Sequence, residues 1–170
     1  MLAQLGVTEA SVKAPIVSSM ETEEIGLTED NIPVFVDKNA LTADHIVVVN
    51  RIKSHTKFKA SIESGLMKMM AIGMGKLNGA QLYHKAAVAY SFFKIITDAA
   101  RLVLTEAPVI CAVGILENAY GQTARISALK AAEIESQEQD LLHLSKKLMA
   151  KLPFNEIDLL IVDEMGKDIS

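Results

Sequence analysis

Three apolar runs constrain this chain most: HIVVVN (45–50), PVICAVGIL (108–116) and IDLLIVDE (157–164). Aliphatic and β-branched residues follow one another in them almost without a polar break, whereas a half-exposed strand would alternate. Near-continuous apolarity belongs to strands covered on both faces. The runs therefore predict an α/β fold, a mainly parallel sheet with helices on both faces. PVFV (33–36) reads as a shorter strand, and 14–25 as holding another. Helical segments fall between the runs. One is expected over 61–74, with Ser61 as its N-cap and Gly73 and Gly75 as its stop. An Asn78-Gly79 turn then leads into a helix from Ala80 towards Tyr90. Another covers 92–104 and ends before Pro108. The last covers about 133–152, with Glu133, Glu135, Glu138 and Asp140 in its first half and Lys146, Lys147 and Lys151 in its second, a distribution that complements the helix dipole.

Composition narrows the function classes. The 170 residues are 50% hydrophobic and 22% charged, enough for one domain with a real core. A net charge of −4 gives no general attraction to nucleic acid or anionic lipid, so any affinity for anions must be local. The single cysteine, Cys111, precludes a disulfide framework within one chain, and a reducing, cytoplasmic setting is expected. No apolar run approaches the ~20 residues of a membrane helix. The first residues read as the tail of a helix, and the last follow closely on a strand. Residues 1–170 are thus expected to form a single α/β domain within a longer protein. Apolar surface left uncovered in such a piece would make it a homo-oligomer.

In open α/β sheets, ligands bind outside the carboxyl ends of the strands. HIVVVN ends there in Arg51, Lys53, His55, Lys57 and Lys59, four of the chain's 17 basic residues around one histidine. Three readings compete. A solvated charged loop is the plainest. Arg51, Lys53 and Lys57 could instead form a pocket for a small carboxylate or phosphate. Nucleic acid is disfavoured, because Phe58 is the loop's one aromatic and the net charge opposes it. His55, set among cations, is expected neutral and fit to act as a base. His84, beside Tyr83 on the next helix, reads from its surroundings alone as a packing residue, and His45 and His143 as structural. GMGKLNG (73–79) lacks the spacing of a phosphate loop or a dinucleotide fingerprint and reads as a helix stop with a turn. Met67, Met69, Met70 and Met74 read as core rather than a soft-metal site.

The run VVVNRIKSHTKFKASIESGLMKMMAIGMGKLNGAQLYHKA (47–86), with SHTKF, then SGLMK, then a histidine on the following helix, resembles the nickel-dependent lactate racemase family. LLIVDEMGKDIS at the end of the chain does too. The likeness spans most of the 170 residues and is strongest with the family's uncharacterised relatives. It implies a fold like the racemase N-terminal domain and an isomerase that racemises or epimerises a 2-hydroxy acid. It further implies a nickel pincer nucleotide as cofactor, tethered to Lys68, with His84 as the nickel ligand and His55 as an acid/base residue. Only Gly65 stands before the lysine, where the family has a glycine-rich stretch, and Lys57 and Lys59 remain alternative counterparts of the tether. The second acid/base histidine and the substrate-binding arginine lie upstream in the family and have no matching motif here. The competing expectation is a non-catalytic α/β binding segment that holds a small carboxylate or phosphate.

Overall fold

The computed structural model describes residues 2–164 apart from 57 and 155. The chain forms two compact units, one made by the residues up to Ile46 with Met70–Pro108, the other by Val47–Met69 with the chain from Val109 onwards.

In the first unit, β1 (Thr22–Leu27) and β2 (Pro33–Asp37) pair antiparallel, with an irregularity between Glu24 and Gly26. Val34 and Val36 of β2 are fully buried. Two helices pack against this ribbon, α4 (Lys76–Ala86) and α5 (Phe92–Glu106). α5 turns Ile95, Ile96, Ala99, Ala100 and Val103 inward, a helical spacing, and its N-cap Ser91 accepts the Lys94 N–H at 3.1 Å. Two one-turn helices complete the unit, α1 (Glu9–Val12) and α2 (Lys38–Leu41). Asp37 ties three of these elements together. It closes β2, caps α2 by accepting the Asn39 N–H at 2.8 Å, and holds Lys76 at 2.8 Å. Lys76 opens α4 with a φ of 50°, a left-handed conformation that costs a non-glycine residue energy and that this ion pair helps to hold.

The expected Asn78-Gly79 turn is not formed, because both residues lie inside α4, which begins four residues earlier than expected. Close packing explains the glycines of GMGKLNG. A Cβ on Gly75 would come within 2.4 Å of the Ala71 carbonyl. The Asn78 side chain donates to Thr22 Oγ1 at 2.8 Å.

The second unit carries a three-stranded sheet in the order β3 (Ile46–Arg51), β4 (Val109–Glu117), β5 (Thr123–Lys130). The bonds from Ile46 N–H to the Pro108 carbonyl and from Ile52 N–H to the Ile115 carbonyl step in the same direction, so β3 and β4 are parallel. β4 and β5 are antiparallel, with Ala112 opposite Leu129 and Ile115 opposite Ile126. The loop between them, Asn118 to Gln122, turns on Gly121 at φ 72° and on Asn118, whose side-chain oxygen accepts the N–H groups of Tyr120 and Gln122. α6 (Ile134–Leu148) covers one face, burying Ile134, Leu141 and Leu142 on the side of the sheet where Ala112 and Leu116 of β4 and Leu129 of β5 are buried. Gly114 makes room for the Ile52 side chain beneath it. A Cβ there would meet Ile52 Cδ1 at 2.7 Å and Leu141 Cδ1 at 3.4 Å.

The α/β class holds, but the sheet is mixed rather than mainly parallel. A five-residue loop reverses the chain after β4, and a strand joined that way must run antiparallel. In this unit the helices lie on one face. On the other, Val47 and Val49 of β3 are about half exposed and Ile126 of β5 is 65% exposed. Residues 157–164 do not form the third strand. They carry no regular structure, and Leu159 and Ile161 are more than three-quarters exposed. Residues 61–74 also differ. The helix begins only at Leu66, as α3 (Leu66–Lys68), and continues as a π-helical turn over Met69–Gly73.

Replacing Asp37 by alanine removes the α2 cap and the buried partner of Lys76 together. The expected cost is about 2 kcal/mol, read as a lower urea midpoint at unchanged slope. An exposed control, Glu9→Ala, should leave the midpoint nearly where it was.

Candidate functional site: a basic loop closed on a buried carboxylate

β3 hands the chain to a loop that returns to itself. Lys53 and Ser64 form an antiparallel bridge, Lys53 N–H to the Ser64 carbonyl at 2.8 Å and Ser64 N–H to the Lys53 carbonyl at 3.2 Å. The acid inside this loop, Glu63, is completely buried. Its carboxylate accepts the His55 N–H at 2.6 Å, the Ser54 hydroxyl at 3.0 Å, the Ala60 N–H at 3.3 Å and the Lys146 ammonium of α6 at 2.6 Å. Burial raises a carboxyl group, but here the Lys146 ammonium and the three donors of the loop outweigh it and hold Glu63 down at about 2. This explains why no helix starts at Ser61: residues 60–64 satisfy the carboxylate and the bridge instead.

The cations are arranged around that centre. Lys59 donates to Ser54 Oγ at 2.9 Å, and the His55 ring lies 4.4 Å from Phe58, tilted by 36°. Arg51 Nη1 donates to both oxygens of Glu117 at 3.0 Å, so this guanidinium already has a carboxylate. Lys53 is exposed, and Lys57 lies outside the described residues. Lys68 ends α3 half-buried, with its ammonium disfavoured first by burial and then by the charge of Lys53. Lys68 has no ion pair or hydrogen bond from its side chain among the described residues.

A second buried carboxylate supports the helix of Lys68. Glu138 Oε2, from α6, accepts the Met67 N–H at 2.8 Å. Its Oε1 has no hydrogen-bond partner among the described residues. It lies so close to Gly65 that a Cβ there would stand 2.1 Å away. Burial raises the Glu138 carboxyl to about 7, the N–H groups of Met67 and Leu66 oppose the rise and the charge of Glu135 adds to it. Met67 and Met70, on either side of Lys68 in sequence, are fully buried, as the core reading of the methionines expects.

Lys53, His55 and Lys68 thus share the second unit. His84 belongs to the first, exposed on α4 with its ring stacked on Phe92 at 5.5 Å. His45 and His143 are exposed. Among the described residues no group of three or more His, Cys, Asp or Glu side chains gathers as a metal site. The sequence matches no protein-family model and no curated protein.

Sequence reasoning missed Glu63 and Glu138, although both left signals. Glu63 is the one acid between Asp44 and Asp98, in a stretch crowded with lysines. Glu138 sits four residues after Ile134 and three before Leu141, on the apolar stripe of α6 rather than among its solvated acids.

Glu63→Gln keeps the shape and removes the charge. It should cost about 3 kcal/mol at neutral pH and expose the 53–64 loop to limited proteolysis ahead of global unfolding.

The two carboxylates give opposite pH signatures. The folded pKa of Glu63 is depressed, so its contribution is full above the ordinary value near 4.5 and is lost as pH falls towards 2. The folded pKa of Glu138 is raised, so the protein loses stability as pH climbs from about 4.5 to about 7. Each limb is on the order of 3 kcal/mol. Glu138→Gln should flatten the upper limb and leave the lower one, which denaturation midpoints from pH 3 to 8 would measure.

Proposed function

We propose that this chain is the lactate-racemase-like part of an enzyme that inverts the carbinol centre of a 2-hydroxy acid, with Lys68 as the attachment point of a nickel pincer nucleotide. The observation that carries this reading is the state of Lys68. A lysine forms a covalent acyl or thioacyl bond only through its neutral amine, and burial and the neighbouring Lys53 both favour that form. It has no acidic partner among the described residues to hold it charged. The residues present fit the tether. For the metal, His84 is the single protein ligand suggested by resemblance, so further donors would come from the cofactor itself.

When bound, such a cofactor supplies a nickel centre able to take up and return a hydride. The chain's own residues supply the rest. Glu63 holds the Ser54 hydroxyl and the His55 backbone N–H, which positions the His55 imidazole to exchange a proton with a substrate hydroxyl. Lys53, exposed beside Lys68, offers an ammonium for the substrate carboxylate or a cofactor phosphate. The sequence reading assigned that role to Arg51 as well, but its hydrogen bonds to Glu117 leave Lys53 as the better candidate.

In the full-length protein produced with the enzymes that make the cofactor, intact-mass analysis should show a covalent adduct and peptide mapping should place it on Lys68. Lys68→Ala should abolish the adduct, while Lys59→Ala should retain it. An adduct on Lys57 or Lys59, or a nickel-free protein of unmodified mass, would overturn the assignment.

A further inference from the structure

The order β3-β4-β5 leaves β5 as an edge, with its outward N–H and C=O groups facing away from β4. Alongside this edge runs a groove of about 570 Å³, lined by Arg125, Ile126 and Ala128 of β5 and by Asp140, Leu141 and Leu144 of α6. A groove between an edge strand and the helix packed on its sheet is where one more strand would lie, about 4.8 Å from β5. The same chain carries a segment suited to fill it. Residues 157–162 are rich in leucine, isoleucine and valine, and they stand in solvent, with Leu159 77% and Ile161 78% exposed. Such a segment gains from a pleated, half-covered site.

We propose that this groove is a homodimer interface in which the 157–163 segment of one copy adds to β5 of a second copy, and the second copy returns the same contact. Charge fixes the register. Asp158 and Asp163 are five residues apart, as are Arg125 and Lys130 on β5. Neither Arg125 nor Lys130 makes an ion pair among the described residues. With the added strand antiparallel, Arg125 opposite Asp163 and Lys130 opposite Asp158, the remaining positions fall into place. Ile126 meets Val162 and Ala128 meets Leu160 on the open face of the sheet. Leu159 and Ile161 then point to the other face, into the groove beside Leu141 and Leu144. Docking within one chain would cost no translational or rotational freedom, yet in the single chain the segment stays off the sheet. That favours a partner copy as the occupant, and a reciprocal exchange closes into a two-fold dimer.

Light scattering across a protein dilution series tests this. The intact chain should be a dimer that dissociates on dilution, and Leu159→Lys with Ile161→Lys should be monomeric while keeping its folded circular-dichroism spectrum. Arg125→Glu with Lys130→Glu, and separately Asp158→Lys with Asp163→Lys, should each raise the dimer Kd at least about tenfold. Mixing those two charge-reversed proteins should restore dimers, because both contacts in the mixed pair are then complementary. A chain that stays monomeric at all concentrations overturns the proposal, and so does a monomer whose 157–163 amides are protected from exchange, since the strand has then docked on its own sheet. A dimer that survives the double lysine substitution, or charge-reversed partners that fail to recover on mixing, overturns it equally.

Discussion

The second unit depends on the carboxylate of Glu63. A buried charge without partners would cost several kcal/mol, and four donors here remove that cost while tying together parts of the chain that are distant in sequence. Lys146 comes from the last turns of α6, 83 residues downstream, so the loop after β3 is tied to α6 where it packs on the sheet. The acid faces inward, while Lys53 and Lys59 of the same loop are exposed. An acidic protein can thereby present a local concentration of positive charge at the end of a strand.

Glu138 acts on the neighbouring segment in the opposite electrostatic sense. Among the described residues it meets backbone N–H groups and no cation, so burial favours its neutral form. One helix, α6, supplies both the cation that keeps Glu63 ionised and the acid on which the N–H of Met67 rests. Glu138 accepts the Met67 N–H beside Lys68, and a Cβ on Gly65 would stand 2.1 Å from its Oε1, so any other residue there would have to displace the carboxylate. Placement of Lys68 is thus a tertiary property of the α6–sheet packing.

Much of the architecture was legible. β3 and β4 announced themselves by unbroken apolarity, α5 by its stop before Pro108, and α6 by acids in its first half and lysines in its second. β5 was not legible, because TARISALK mixes polar and apolar residues and lies on an exposed edge. The opposite error befell 157–164, whose apolarity read as burial but which stands in solvent. Composition reports a segment's preference for burial, and whether that preference is met depends on which edge is open and what lies next to it.

By itself, the sequence determined the alternation of strands and helices, the buried methionines and the concentration of cations between Arg51 and Lys59, because these follow from local spacing and side-chain chemistry. Tertiary structure decided which cations remain available: Arg51 is taken up by Glu117, 66 residues away, and Lys68 has no counter-charge among the described residues. It also decided the direction of the sheet, since a five-residue loop anchored by Asn118 makes β5 antiparallel whatever its neighbours prefer. Long-range electrostatics and strand order depend on pairs that meet only when the chain has folded, and no window of sequence contains both partners.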